Sequence, residues 1–115
     1  MDEKFHATIR KFSPDDINKI LTIEEQAFPK TAYSRQIFLN YGKYFSDTFF
    51  VIETGDDIVG YILFDKGGHI HSTAVKSTFR MKGFGRMLFI HAAKYAQKKT
   101  MARGAIKKQW SNSLL

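Results

Sequence analysis

The chain has 115 residues, 43% of them hydrophobic and 25% charged, which bounds it to one domain (1–115) with a core of its own. It has no cysteine, so disulfide frameworks and thiolate metal sites are excluded, and an intracellular, cytoplasmic setting is expected. The net charge of +7 is unevenly placed: all eleven acids lie in 1–65 beside seven Lys and Arg, whereas 66–115 holds eleven Lys and Arg and no acid.

In chain order, FHATIRKF (5–12) alternates apolar and polar residues as a half-buried strand does. Ser13-Pro14-Asp15-Asp16 supplies a cap candidate, a proline for the first helical position and acids for the first turn. Ile17, Ile20, Leu21 and Phe28 then share a helical face that Pro29 ends. SRQIFLNYG (34–42) reads as a second short helix, with Ser34 as cap and Gly42 past its end.

TFFVIE (48–53) and IVGYILF (58–64) are aromatic and β-branched runs around the turn Thr54-Gly55-Asp56-Asp57, and they predict a hairpin. After Lys66-Gly67-Gly68, HIHSTAV (69–75) reads as another strand. From about Lys82 to Gln97, Phe84, Met87, Leu88, His91 and Tyr95 recur with the period of an amphipathic helix. AIKKQW (105–110) is assigned to a last strand. The order β-α-α-β-β-β-α-β predicts an α/β (α+β) fold, a mixed, mostly antiparallel sheet flanked by helices.

The basic second half is expected to draw anions: a phosphate-bearing cofactor, a nucleic acid or an acidic surface. The plain alternative is a solvated basic face. The four histidines lack the spacing of a zinc site, so no metal is expected. No leader peptide and no run of about 18 apolar residues stands in the chain, so no membrane partner is expected either.

The sharpest local feature is FRMKGFGRML (79–88), in which Gly83 and Gly85 open the basic helix among Arg80, Lys82 and Arg86. Glycine costs roughly 0.8–1 kcal/mol relative to alanine in a helix. Tight packing or a ligand that needs bare backbone has to offset that. First-turn amides and the helix dipole favour negative charge, so a diphosphate suits the loop. A dinucleotide fingerprint would need glycine where Leu88 stands, and a P-loop would need G-K-[ST].

The stretch GHIHSTAVKSTFRMKGFGRMLFIHAAKYA (68–96) resembles the acetyl-CoA-binding core of the GNAT superfamily of N-acetyltransferases. In that pattern a strand ends in a small residue and valine, here Thr73-Ala74-Val75. A loop of the form [RQ]-x-x-G-x-[GA] then opens a helix, here Arg80-Met81-Lys82-Gly83-Phe84-Gly85. G-H-I-x-S-x-A-V and Ile23-Glu24-Glu25-Gln26-Ala27-Phe28-Pro29 are similar to segments of the branch that acetylates protein N-termini and ribosomal proteins.

The resemblance implies acetyl-CoA as co-substrate and direct transfer to an amine or peptide substrate, with no acyl-enzyme. Thr73, Ala74 and Val75 would meet the pantetheine arm, and the amides of Lys82 to Arg86 the pyrophosphate. For the base, His69 and His71 alternate with Thr73 and Val75 and are expected on one strand face, where imidazole suits proton removal. Alternatively each histidine is a packed or surface residue. Glu53 is a further base candidate, against a solvated strand end. Glu24 and Glu25 either meet the incoming amine or sit on a solvated helix face. Phe28, Pro29 and Tyr33 either line the acceptor cleft or pack locally. His91 is read as a satisfied core residue.

Relatives continue after the basic helix with a strand, a helix and a closing hairpin, so the resemblance implies a chain lacking the last helix and hairpin. The asparagine that relatives direct at the cofactor arm falls on Asn112, the glutamate some use as base on Lys107, and the thiolate-protonating tyrosine beyond Leu115. An open sheet edge is then expected, which a homodimer would cover; an altered or truncated reading frame is the other expectation. Two other functions compete with the transferase. One is a non-catalytic acyl-CoA-binding module. The other is a nucleic-acid-binding domain, which the burial expected for Phe84 and Tyr95 argues against.

Overall fold

The computed structural model describes residues 6–99 together with Ile106, Lys108 and Gln109. Strand β1 (Ala7–Lys11) leads through a 3-10 turn (Pro14–Asp16) into α1 (Ile17–Ala27). Helix α2 (Arg35–Tyr44) follows, then β2 (Phe49–Thr54), β3 (Asp57–Phe64) and β4 (Ile70–Val75). A second 3-10 turn (Ser77–Phe79) precedes α3 (Phe84–Lys98). The four strands form one antiparallel sheet in the order β1-β2-β3-β4, with Ile9 opposite Ile52, Val51 opposite Tyr61 and Tyr61 opposite Ala74.

The sheet is covered on both faces, which is why FFVI and IVGYILF are continuous apolar runs. Toward α1 and α2 it buries Phe49, Val51, Tyr61 and Leu63 against Ile17, Ile20, Ile23 and Phe38. Toward α3 it buries Phe50, Ile52, Ile62 and Phe64 against Phe84, Leu88 and Ala92. The two-residue hairpin loop Gly55-Asp56 needs a left-handed first residue, and Gly55 stands at φ +59°.

Caps fall where the residue types place them. The Ser34 hydroxyl accepts from Ile37 N–H (3.2 Å), and the Asp16 carboxylate accepts from Ser13 N–H (2.8 Å). Two sequence expectations fail. Gly42 lies inside α2, because a Cβ there would stand 2.7 Å from the Phe12 ring; the glycine admits that ring rather than ending the helix. In AIKKQW the described residues Ile106, Lys108 and Gln109 are helical, not extended. Lysine and glutamine favour helix over strand, and Ile106 anchors the segment in the α3-side core.

Candidate active site

The glycine loop holds two backbone features that packing does not explain. Met81 adopts φ +66° with its side chain fully in solvent, a conformation that costs a non-glycine residue about 1–2 kcal/mol. Gly83 stands at φ +89° as the cap of α3. Its first intrahelical bond runs from Met87 N–H to the Gly83 carbonyl (3.0 Å), so the amides ahead of it point out of the positive end of the helix.

Gly85 is different. A Cβ there would touch only Val75 Cγ2 at 3.7 Å, an ordinary contact. Nothing among the described residues requires glycine at 85, and its lack of a side chain leaves room between the loop and the end of β4. Bare backbone, a helix N-terminus and the cations Arg80, Lys82 and Arg86 together fit a diphosphate. Phe84 contributes main chain only, since its ring is buried against Phe79 (centroids 6.0 Å apart).

From this loop the outer edge of β4 runs back along the sheet. Lys76 N–H donates inward to the Val59 carbonyl (2.7 Å), and the Ala74 carbonyl lies against Gly60 of β3. By antiparallel alternation the main-chain groups of Thr73 and Val75 face outward. Arg80 Nε reaches that edge, donating to the Val75 carbonyl (3.1 Å). Thr73 turns its hydroxyl to the Tyr61 carbonyl instead (2.9 Å). At the start of β4 the Gln109 side chain takes the place of a neighbouring strand, accepting from Ile70 N–H (2.7 Å) and donating to the Gly68 carbonyl (2.8 Å).

The histidines do not share a face with Thr73 and Val75. A register shift sets Ser72 opposite Leu63 but Ile70 opposite Phe64, leaving His71 as an extra residue. This bulge turns His71 to the α2 side, where its ring stacks on Phe45 and tilts against Tyr41 (centroids 5.3 and 5.4 Å). Its Nε2 lies 3.0 Å from Asp65 Oδ2. Burial alone would push the Asp65 carboxyl up, but the His69 amide, the His71 ring and the Gly67 amide hold it below the usual range. His69 precedes the strand, with its side chain 74% exposed.

His71 and Ser72 together line a cleft of about 290 Å³ with Glu24, Phe28, Thr31 and Tyr33. Glu24 is not on a solvated face: it is 2% exposed. Its Oε1 accepts from the hydroxyls of Tyr61 and Ser72 (the latter at 2.7 Å), and its Oε2 from Tyr33 N–H (3.0 Å). Desolvation, then the Glu24 hydrogen bond, push the Tyr61 phenol well above its ordinary value. Tyr33 also closes on the strand, its hydroxyl donating to the His71 carbonyl (3.2 Å).

Other expectations resolve differently. Glu53 is an ion-pair partner of Arg10 (3.1 Å), which also grips Asp16 (2.8 Å), on the strands remote from the β4 edge. His91 faces the core edge-on to Phe50 (4.5 Å), but its buried Nε2 has no hydrogen-bond partner among the described residues, against the expectation of a satisfied core residue. Asn112 and Lys107 lie outside the described residues. Tyr61 and Asp65 carry no motif; Ser72 is the serine of G-H-I-x-S-x-A-V, but no role is read for it from the sequence. For Glu24 a signal exists: it stands four residues after Ile20 and four before Phe28, on the apolar face of α1.

With this geometry in hand, the comparisons with known proteins agree. A model of the acetyltransferase (GNAT) family matches residues 15–110. Over 83 residues the chain is 42% identical to an uncharacterized N-acetyltransferase of Methanocaldococcus jannaschii, covering 70% of this chain and 53% of that one. It thus spans about half the length of that curated relative. Its fold is similar to that of Ard1 from Thermoplasma volcanium, with a TM-score of 0.78 and 26% identity over 83% of this chain and 66% of the other. The ribosomal-protein-S18-alanine N-acetyltransferase of Escherichia coli shares the fold at a TM-score of 0.69 and 18% identity, over 81% and 61% of the two chains. Among the described residues no helix is long and apolar enough to cross a membrane. By the family match and the loop that carries it, this chain belongs to the GNAT acetyltransferase family.

Proposed function

We propose that the chain transfers the acetyl group of acetyl-CoA to a primary amine, the free N-terminus of a peptide. The observation that carries this reading is the unfilled position at Gly85, set between the positive end of α3 and the outer edge of β4. The loop amides, with Arg80, Lys82 and Arg86, hold the pyrophosphate. Thr73 and Val75 present main-chain groups along the arm, and acetyl-CoA supplies the activated acyl group. The acceptor enters the cleft of Phe28, Tyr33 and His71, which opens on the same strand two residues upstream. Cofactor edge and acceptor cleft therefore meet on β4.

Transfer needs a neutral amine, a polarised thioester carbonyl and a proton for the departing thiolate. Outward amides of Thr73 and Val75 are the donors for the carbonyl. His71 is the base: with its Nε2–H donated to Asp65, Nδ1 is the ring nitrogen left to take a proton, directly or through water. His69, exposed beyond the strand, has no part in the step. The Escherichia coli protein of similar fold is named as a ribosomal-protein-S18-alanine N-acetyltransferase, which is in keeping with a peptide acceptor.

The test is calorimetric titration with acetyl-CoA, then thiol release and product mass with short peptides bearing a free N-terminus. Gly85→Val is expected to weaken acetyl-CoA at least tenfold with the fold intact. Equal affinity in that variant would sink the reading. Cofactor binding without thiol release on any amine would leave a non-catalytic acyl-CoA-binding module.

A further inference from the structure

Glu24 is a buried carboxylate with no cation beside it among the described residues, although the cleft reaches it. Its hydrogen-bond donors, the Tyr61 and Ser72 hydroxyls and the Tyr33 amide, are all neutral. They fill three of the roughly four acceptor positions of a carboxylate and bring no opposite charge to it. Buried charge is stable when it is both hydrogen-bonded and paired with an opposite charge, and only the first condition is met inside the chain. The cleft is the route by which a cation could reach it.

The surroundings select which cation. Phe28 and Tyr33 form an aromatic wall beside the carboxylate, suited to a small cationic head carrying an apolar body. No group of three metal-ligating side chains exists among the described residues. Tyr33 ties the loop above the cleft to both sides of the site, through its amide to Glu24 and its hydroxyl to the His71 carbonyl.

We propose that Glu24 is a cation subsite that takes the acceptor in its protonated ammonium form, with Tyr61 and Ser72 as positioning residues that aim the carboxylate. This rests on the acceptor-cleft reading above. The step assigned to Glu24 is binding alone; the ammonium gives up its proton afterwards, to His71. His71 on β4, with Asp65 behind it, and Tyr33 after α1 are the titratable neighbours in the cleft; burial raises the phenols of Tyr33 and of Tyr61 on β3 above their ordinary value, so both stay neutral where the amine titrates.

The experiment titrates the full chain, saturated with coenzyme A, with the dipeptide amide Ala-Phe-NH2 and with its N-acetylated form. At about pH 6.5 the α-amine is charged, its pKa being roughly 7.7–8.0. The free amine is then expected to bind about tenfold tighter than the capped one, the scale of one charge-assisted hydrogen bond. At about pH 9.5, where the amine is neutral, the preference should vanish. Glu24→Gln should abolish it at pH 6.5 with the affinity for acetyl-CoA unchanged, and running that variant at both pH values removes any share of His71. Tyr61→Phe should raise the KM of the amine several-fold without moving the KM of acetyl-CoA.

A preference that survives in Glu24→Gln, or that does not change with pH in the native chain, overturns the proposal. The native pH series decides alone if the variant fails to fold. Absence of acetyl-CoA binding would instead defeat the proposed function. Acetyl-CoA binding without ammonium preference defeats only the subsite.

Discussion

On the α3 side the sheet meets an almost wholly apolar layer, Phe50, Ile52, Ile62 and Phe64 against Phe84, Leu88 and Ala92. On the α1 side the same strands enclose Glu24, Tyr61 and Ser72 within an equally tight aromatic and aliphatic layer. The polar groups on the α1 side are hydrogen-bonded to one another, and they stand where the cleft opens beside β4. The α3 side carries His91 Nε2 instead, buried with no hydrogen-bond partner among the described residues. Burial with partners at a cleft marks a site; burial without them marks a local cost. The variants that follow separate those two situations.

The largest effect belongs to the apolar layer. Leu88 is fully buried in it, so Leu88→Ala should cost about 2–5 kcal/mol, read as a lower urea midpoint with an unchanged slope. A loss under 1 kcal/mol would mean the α3 layer is looser than its burial indicates. On the opposite face, Tyr61→Phe keeps the ring and removes one donor from Glu24. About 1–3 kcal/mol should be lost, because a buried charge is left under-solvated. No change in stability would mean water takes the place of the hydroxyl, and the contrast between the faces would fall.

The same contrast explains what could be read from the residues alone. Strands β2 and β3 announce themselves as apolar runs around Gly55-Asp56, and α3 by its period, since local pattern dictates them. Gly42 looked like a helix stop because the Phe12 ring that it admits is thirty residues away in sequence. The bulge at His71 left no local trace, since it is a property of the pairing of β3 with β4. Residue type left Glu24 open between the incoming amine and a solvated helix face. Its place on the apolar stripe of α1 was visible, but its donors come from β3, β4 and the loop after α1, brought together only by the fold. The glycine loop was legible because its chemistry is contained within seven consecutive residues.

Within that loop the two glycines should respond oppositely. Gly83→Ala forces a side chain into the left-handed region and should cost about 1 kcal/mol. Gly85→Ala meets only an ordinary contact with Val75 and gains helix propensity, so stability should hold or rise by up to about 0.5 kcal/mol. Thermal melts of the two variants check this directly. Equal losses would show that Gly85 serves packing after all, and the open space beside β4 would need another reason.

The smallest effect tests His91. Burial lowers the pKa of His91 in the folded chain. As pH falls through about 6.5, the unfolded chain takes up a proton at this residue that the folded chain resists. The unfolded state then binds more protons, so stability falls with falling pH until the lower folded value is passed. The carboxylates of Asp16, Asp57 and Asp65 are held below 3.8, so their own stabilisation is lost only at more acid pH. The window between is left to histidine. Urea midpoints measured at pH 7.5 and 5 should show a shallow decline, smaller than the loss from Tyr61→Phe. His91→Gln, which cannot titrate, isolates this residue from His6, His69 and His71. An identical decline in that variant would clear His91 of the cost, and the difference between the two faces would then lie in packing alone.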